Sequence, residues 1–488
     1  MTPNLNYYDL LGLPQDATTD EVRRAYHEAA HRLHPDVSTE PNSTEMFLKA
    51  QKAYEVLCDP KARELYDQEL LEQSNQPVHL EITYSRPSLA ALDEPQLIYA
   101  LLEFSTADKF ALTLNPALNV CLVLDRSTSM QGVRMDTVKT AAVELVRQLR
   151  PEDRLSIVLF SDRAEVLLPA GKRLDRTLIE TQIQMIRASG GTEIFQGLQA
   201  GFDEVNQNST RSLINHIILI TDGRTYGDED QCLQLADTAA VQGVRITGLG
   251  IGTEWNDLFL DELTGRTGGT SAYISRASDI RSFLQEKFTS LKQIFAERVT
   301  LNLALSPGVK LTSAFRLQPE SAVLSTTFPA RLGSIPKPSK LSVLLEIVVP
   351  AIQSPDDRFK IATGEISFIL PFDPSRQHKT PVYLSRLTSA EVSSDLPPKP
   401  IFQALSQVTL YRMQERARQE VSEGKVQEAS LRLQRLATQL LSLGEIDLAQ
   451  TAIIEAERIQ QTHMLSAEGE KRIKYGTRSF LLPARVEE

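Results

Sequence analysis

Asp125, Ser127 and Ser129 stand at alternate positions directly after an apolar run, Val120–Leu124. All three carry oxygen on short side chains, and the run before them reads as a buried strand whose end would present them together. Two further oxygen-bearing sets lie downstream in strand–loop–helix settings. Thr192 follows two glycines in SGGTEIF, and Asp222 closes an apolar run in ILITDGR. In an open α/β sheet ligands bind beyond the carboxyl ends of the strands, so the five residues can converge at one point there. They offer hard oxygen and neither nitrogen nor sulfur, which selects magnesium or manganese over zinc. Magnesium wants an octahedral oxygen shell and keeps several waters, so a site with few direct protein bonds leaves a position open to an outside ligand. Taken singly, Asp125 or Asp222 would more readily be read as a cap for the helix that follows its strand than as a ligand.

A different chemistry is implied by His34-Pro35-Asp36. Thr18 and Glu21 form a capping box, after which Val22, Ala25, Tyr26, Ala29, Ala30 and Leu33 repeat at helical spacing. That helix ends at His34, because the residue before a proline is pushed out of the helical region. Phe47, Ala50, Tyr54 and Leu57 predict a second amphipathic helix, broken at Asp59-Pro60 and followed by a short helix to about Gln68. Two antiparallel helices would thus carry the His-Pro-Asp loop between them. Arg23, His27 and His31 recur at i, i+4 and i+8 of the first helix, with Arg24 and Arg32 beside them.

The elements that must position the oxygen set follow a polar linker, Glu72 to Pro77. Val78–Tyr84 and Gln96–Phe104 read as strands. From Asn119 to about Glu297 strand patterns (Val120–Leu124, Leu155–Phe160, His216–Thr221, Val244–Ile251) alternate with helical ones (Val133–Leu149, Leu174–Ile186, Phe195–Val205, Glu229–Val241). Such alternation favours a mostly parallel sheet with helices on both faces. Strands return at Val299–Leu305, Val309–Leu317, Lys340–Val349 and Lys360–Ile369, as a β-sandwich. The two early strands have no partners of their own and are expected to pair with this later set, which makes the α/β unit an insertion in the sandwich. Ser393 to Pro400 reads as a hinge, and Ile401–Gln461 as helical. The spacing of Ala449, Ala452 and Ala456 resembles tetratricopeptide helices without a full second copy; a helical hairpin on the sandwich is the plainer expectation.

Composition narrows the function classes. A net charge of −11 argues against sequence-independent nucleic-acid binding, which needs basic patches. The three cysteines, Cys58, Cys121 and Cys232, are far apart, as expected of reduced thiols in a cytoplasmic protein. Neither a signal peptide nor an apolar run long enough for a membrane span is found. Gly248, Gly250 and Gly252 alternate at a strand end and do not form a phosphate loop. His216, within an apolar strand, reads as a core residue, while Trp255 would either rim the sheet's upper edge or pack on the next helix.

Two resemblances follow. DRSTSM, GGT and TDG, in this order and spacing, resemble the metal-ion-dependent adhesion site of von Willebrand factor type A (VWA) domains, over about Asn119 to Glu297. Asp125, Ser127 and Ser129 match its D-x-S-x-S element, and Thr192 and Asp222 its distant threonine and aspartate. The resemblance implies a Rossmann-like domain whose Mg2+ (or Mn2+) completes its shell with a partner's Asp or Glu; in that family the serines usually bind the ion directly and one or both aspartates act through water. Thr128 replaces the commoner glycine. NYYDLLGLPQDAT, EVRRAYHEAAHRLHPD and AYEVLCDPKARELYD resemble the successive helices of the J domain of DnaJ-type co-chaperones. This implies that His34, Pro35 and Asp36 trigger ATP hydrolysis by a DnaK-type chaperone, with Arg23, Arg24 and His27 on the docking face. The sequence departs from the family there: histidines replace common lysines, and seven Lys and Arg up to Leu70 face thirteen Asp and Glu. Steering towards an acidic ATPase surface is accordingly weak. The Gly/Phe-rich stretch and C-x-x-C zinc module of general substrate-binding members are missing.

The expected organisation is a J domain (1–70), a linker with the first sandwich strands (71–118), a VWA domain (119–297), the rest of the sandwich (298–390) and a helical region (391–488). The expected function is a non-enzymatic co-chaperone or adaptor that recruits a DnaK-type ATPase and holds a protein partner through a metal ion. A metal-dependent scaffold or assembly factor with secondary chaperone recruitment is the alternative. A metal-dependent hydrolase would need a positioned base that the motif does not provide.

Overall fold

The computed structural model describes residues 7–14, 17–33, 43–64, 66–67, 76–107, 115–171, 176–225, 227–353, 358–392 and 395–479. It divides into a unit ending at Pro77 and a second beginning at Val78. The His34-Pro35-Asp36 loop, residues 72–75 of the expected linker and residues 393–394 of the expected hinge lie outside the described residues.

In the first unit α1 (Tyr7–Leu11), α2 (Thr19–Leu33) and α3 (Ser43–Cys58) enclose Tyr8, Leu11, Val22, Ala29, Ala50, Ala53 and Leu57. The capping box forms as its residues dictate: Thr18 N–H donates to Glu21 Oε2 at 2.6 Å, and Glu21 N–H donates back to Thr18 Oγ1 at 3.3 Å. Asp59 ends α3 and caps the next turn, accepting from Lys61 N and Ala62 N at 2.8 and 2.9 Å. Tyr26 stacks on Tyr54 at 4.4 Å between ring centres, joining α2 to α3. The unit closes on itself through Tyr8, whose hydroxyl donates to Asp67 Oδ1 at 2.6 Å.

The second unit opens with β1 (Val78–Tyr84), β2 (Ser88–Ala90) and β3 (Gln96–Thr106). An α/β segment follows: β4 (Ala117–Asp125), α4 (Val133–Gln148), β5 (Arg154–Phe160), β6 (Ala164–Leu168), α5 (Arg176–Gln184), α6 (Ile194–Gln207), β7 (Leu213–Thr221), α7 (Glu229–Gln242), β8 (Arg245–Ile251), α8 (Asp257–Arg266), β9 (Ser271–Ile274) and α9 (Asp279–Lys292). Its six strands run in the order β6-β5-β4-β7-β8-β9, parallel except for β6. β4 and β7 are apolar almost throughout because helices cover both faces of the sheet.

The chain then forms β10 (Ile294–Leu305), β11 (Lys310–Gln318), β12 (Ala322–Leu324), β13 (Ala330–Pro336), β14 (Leu341–Val349), β15 (Arg358–Leu370) and β16 (Asp373–Ser389). Two five-stranded sheets result, β1-β3-β14-β11-β12 and β13-β10-β15-β16-β2. β3 pairs along its length with β14, Gln96 opposite Val349 and Phe104 opposite Leu341. The early strands therefore do complete the later sandwich, and the α/β segment is an insertion between β3 and β10.

The expected C-terminal hairpin is corrected to four helices, α10 (Lys399–Ser422), α11 (Val426–Ser442), α12 (Ile446–Thr462) and α13 (Ala467–Ser479). Nor do they rest on the sandwich alone. Ile401, Ala404, Val408 and Tyr411 of α10 pack on Leu101, Phe315 and Leu344 of the sandwich. α13 instead reaches the inserted α/β segment, where Lys474 Nζ meets Asp257 Oδ2 at 2.5 Å and Asp261 Oδ2 at 2.8 Å on α8.

One buried carboxylate gives the second unit a pH signature. Glu297 of β10 is 6% exposed, and burial pushes its carboxyl up to about 7, only partly offset by Arg245 at 3.4 Å. The unfolded chain releases this proton near 4.5, while the folded one holds it to about 7. Raising the pH through that window therefore favours unfolding, by at most about 1.4 kcal/mol per pH unit. Urea midpoints should fall between pH 5 and 7 and then level off, and Glu297→Gln should make the slope shallower; an unchanged slope in the variant would assign it to other groups.

Candidate functional site

The carboxyl ends of β4 and β7 lie side by side because the two strands pair in parallel, Leu124 opposite Ile220. Asp125, fully buried, accepts from Ser127 N–H at 2.7 Å on one carboxylate oxygen and from the Thr221 hydroxyl at 2.7 Å on the other. Ser127 Oγ lies 3.0 Å from Ser129 Oγ, and Ser129 Oγ donates to Asp222 Oδ1 at 2.6 Å. The other oxygen of Asp222 is taken by the guanidinium of Arg134 from the first turn of α4. Thr192 completes the group: a methyl placed on Gly223, the neighbour of Asp222, would come within 2.9 Å of Thr192 Oγ1. Only glycine lets that hydroxyl lie so close to the end of β7. The five residues picked out in the sequence are thus brought together.

Backbone contacts hold the loops in register. Ser189 N–H donates to Arg126 O at 2.7 Å, Thr128 N–H to Gly190 O at 3.1 Å, and Glu193 N–H to Ser161 O at 2.9 Å. The alternative role for the two aspartates, as helix caps, is not what the fold uses. The cap of α4 is Gly132 and that of α7 is Asp228, so Asp125 and Asp222 remain at the strand ends.

Burial raises the carboxyl of Asp125 to about 6, against hydrogen bonds from Ser127 and Thr221 that lower it, with Asp222 nearby adding to the rise. Two buried carboxylates and three hydroxyls in one spot call for positive charge, and Arg134 reaches only one of the acids. Among the described residues no three of His, Cys, Asp and Glu group as a metal site. An ion here would have to rest on hydroxyl oxygens as well as the two acids, a donor set that fits a hard divalent cation.

Arg134 and Thr221 went unread in the sequence. Thr221 stands next to Asp222 in TDG and was a visible signal; Arg134 had none beyond its place one turn into the following helix. Trp255 does not rim the site. It is buried, donates from its indole N–H to Gly252 O at 2.8 Å, and lies flat on Gly250, where a methyl would meet its ring. This explains the glycine at Gly250, a packing position and not a phosphate contact. His216 is fully buried, its Nε2 2.9 Å from Thr247 Oγ1, as a core histidine. On the first unit, Arg23, Arg24 and His27 all lie on the exposed face of α2.

A six-stranded sheet of this order with an oxygen cluster at its carboxyl edge defines a VWA domain, and residues 119–297 match the von Willebrand factor type A domain family. Residues 6–67 match the DnaJ domain family, and residues 399–483 match a family described as the Sll0103-like, C-terminal alpha-helical domain. The chain is a DnaJ-type J-domain protein fused to a VWA domain, with a four-helix C-terminal region that sequence reading did not assign to a family. The Uncharacterized protein sll0103 of Synechocystis sp. is 33% identical over 195 residues, which are 40% of this chain and 46% of that protein. DnaJ homolog subfamily B member 5 of Mus musculus is 49% identical over 63 residues, 13% of this chain and 18% of that protein. The chain thus spans less than half the length of either relative. A von Willebrand factor type A structure from Catenulispora acidiphila superposes with a TM-score of 0.66 at 16% identity, over 82% of this chain and 96% of that one, which shows a shared fold. Both J and VWA domains are typically interaction modules without catalytic activity. No helix among the described residues is long and apolar enough to cross a membrane.

Proposed function

We propose that this chain is a cytoplasmic co-chaperone adaptor: the J domain recruits and stimulates a DnaK-type ATPase, and the VWA domain holds a protein partner through a Mg2+-dependent adhesion site. The observation that carries the reading is the hydrogen-bonded run Asp125–Ser127–Ser129–Asp222 at the sheet's edge, in one chain with a J domain. Asp125, Ser127, Ser129, Thr192 and Asp222 would hold the ion. When bound, it supplies an electrophilic position that accepts an aspartate or glutamate from the partner. The chain's own residues do the rest. Asp125 anchors the loop through Ser127 N–H, Thr221 orients Asp125, and the contact between Thr128 and Gly190 keeps the two loops together.

Both acids of the cluster are engaged in this network, so neither stands free as a base for hydrolysis, and we read the chain as non-enzymatic. The acid excess of the first seventy residues favours a second reading, a metal-dependent scaffold with secondary chaperone recruitment. Steady-state ATPase assays of a DnaK-type chaperone separate the two. The full chain is expected to raise turnover several-fold and His34→Gln to remove the stimulation. Equal rates with the wild type and the variant would leave the scaffold reading.

A further inference from the structure

A cavity of about 470 Å3 opens where the inserted sheet, the sandwich and α13 meet, away from the oxygen cluster. Its wall carries Arg245, Lys287, Arg316 and Arg478 against two carboxylates, Glu286 and Glu320. Three of these cations have a carboxylate partner: Arg245 with Glu297 at 3.4 Å, Lys287 with Glu320 at 2.5 Å and Arg478 with Asp261 at 2.8 Å. Arg316, only 3% exposed, makes no direct ion pair among the described residues. Its N–H groups go instead to the carbonyl oxygens of Glu320, Gly268, Leu332 and Gly269, at 2.7, 2.9, 2.7 and 3.2 Å. The buried guanidinium thus makes its direct bonds to neutral carbonyls, with Glu320, itself bonded to Lys287, acting on it only at longer range.

Beside it Ser321, 5% exposed and also on the cavity wall, has a hydroxyl with no hydrogen-bond partner. Orphaned buried hydroxyls are rare in folded proteins, and one facing a cavity marks a place for an unseen acceptor. Tyr273, Phe283 and Leu291 supply apolar wall, the mixture of a few aimed polar groups and apolar surface that small-molecule sites use.

We propose that this cavity binds a small organic oxyanion, a carboxylate or phosphate carried on an aromatic or apolar body. The charged end is held by Arg316, Lys287 and the Ser321 hydroxyl, and the body lies against Phe283 and Tyr273. Because the wall is drawn from the VWA sheet, the sandwich and the last helix, the ligand would bridge all three.

Calorimetric titration of the full chain with benzoate and, separately, phenyl phosphate tests this and distinguishes the two anions. Saturable one-to-one binding of either is expected. Ser321→Ala removes a hydroxyl that makes no bond in the fold, so stability should hold while affinity falls about three- to tenfold. Ser290→Phe, an exposed lining position on α9, should fill the opening and remove binding. No saturable heat with either probe in the millimolar range overturns the proposal, as does equal affinity in both variants.

Discussion

Asp125→Ala will lower the affinity of the full chain for Mn2+ or Mg2+ by about a hundredfold and abolish chelator-sensitive capture of its protein partner. The size of the effect follows from what this carboxylate holds. It is fully buried, and it fixes both the Ser127 loop and Thr221, the residue just before Asp222. Removing it takes away one of the two acids joined to the serine cluster and releases the loop that carries both serines. Ser129→Ala, which deletes one hydroxyl and leaves Asp125 in place, should weaken binding less and guards against general unfolding. Arg134→Ala should act in the opposite direction, because the guanidinium occupies an oxygen of Asp222 that a cation would contest. Titration calorimetry with Mn2+ and pulldowns with and without chelator read all three. Normal metal binding and partner capture by Asp125→Ala would end the adhesion-site reading.

Lys474→Met will destabilise the second unit by about 3–5 kcal/mol. Lys474 is 1% exposed and lies between Asp257 and Asp261 of α8. Arg418 of α10 also bonds Asp257, at 2.9 Å, and Arg478 bonds Asp261, at 2.8 Å. Both aspartates are held below the usual carboxylate range, although burial alone would raise them; the cations more than offset it. Removing one cation leaves buried negative charge without compensation, which costs more than the intact pair gains over an apolar equivalent. The measurement is a urea denaturation curve, with hydrogen exchange over residues 467–479 to locate the effect. The double variant Lys474→Met with Asp257→Asn should recover part of the loss; a single variant within about 0.5 kcal/mol of wild type would show the network to be dispensable.

What was legible in the sequence follows from the range of the interactions. Asp125, Ser127 and Ser129 could be read because alternation after an apolar run is local, and Thr192 and Asp222 because each sits in its own short strand–loop–helix context. The J-domain helices were legible for the same reason, their apolar faces repeating within single helices. β16 was not, since it begins Asp-Pro-Ser-Arg-Gln-His-Lys and has buried residues only at Thr380, Val382 and Leu384. β6 and β9 are short and lie at the two edges of their sheet. Arg134 and Lys474 act on partners 88 and 217 residues away, and no local pattern announces such a pairing. Cys121 and Cys232 proved to be buried free thiols, their acidity suppressed by burial.

The inserted sheet is entered after β3 and left into β10, so it is rooted in the sandwich by two strands that belong to opposite sheets. A domain at the end of a single tether swivels when its cargo is pulled. One mounted at both ends passes tension into two separate layers of backbone hydrogen bonds. Load on a captured protein would be shared across the sandwich like weight on a shelf with two brackets, and the grip could keep its orientation while force is applied.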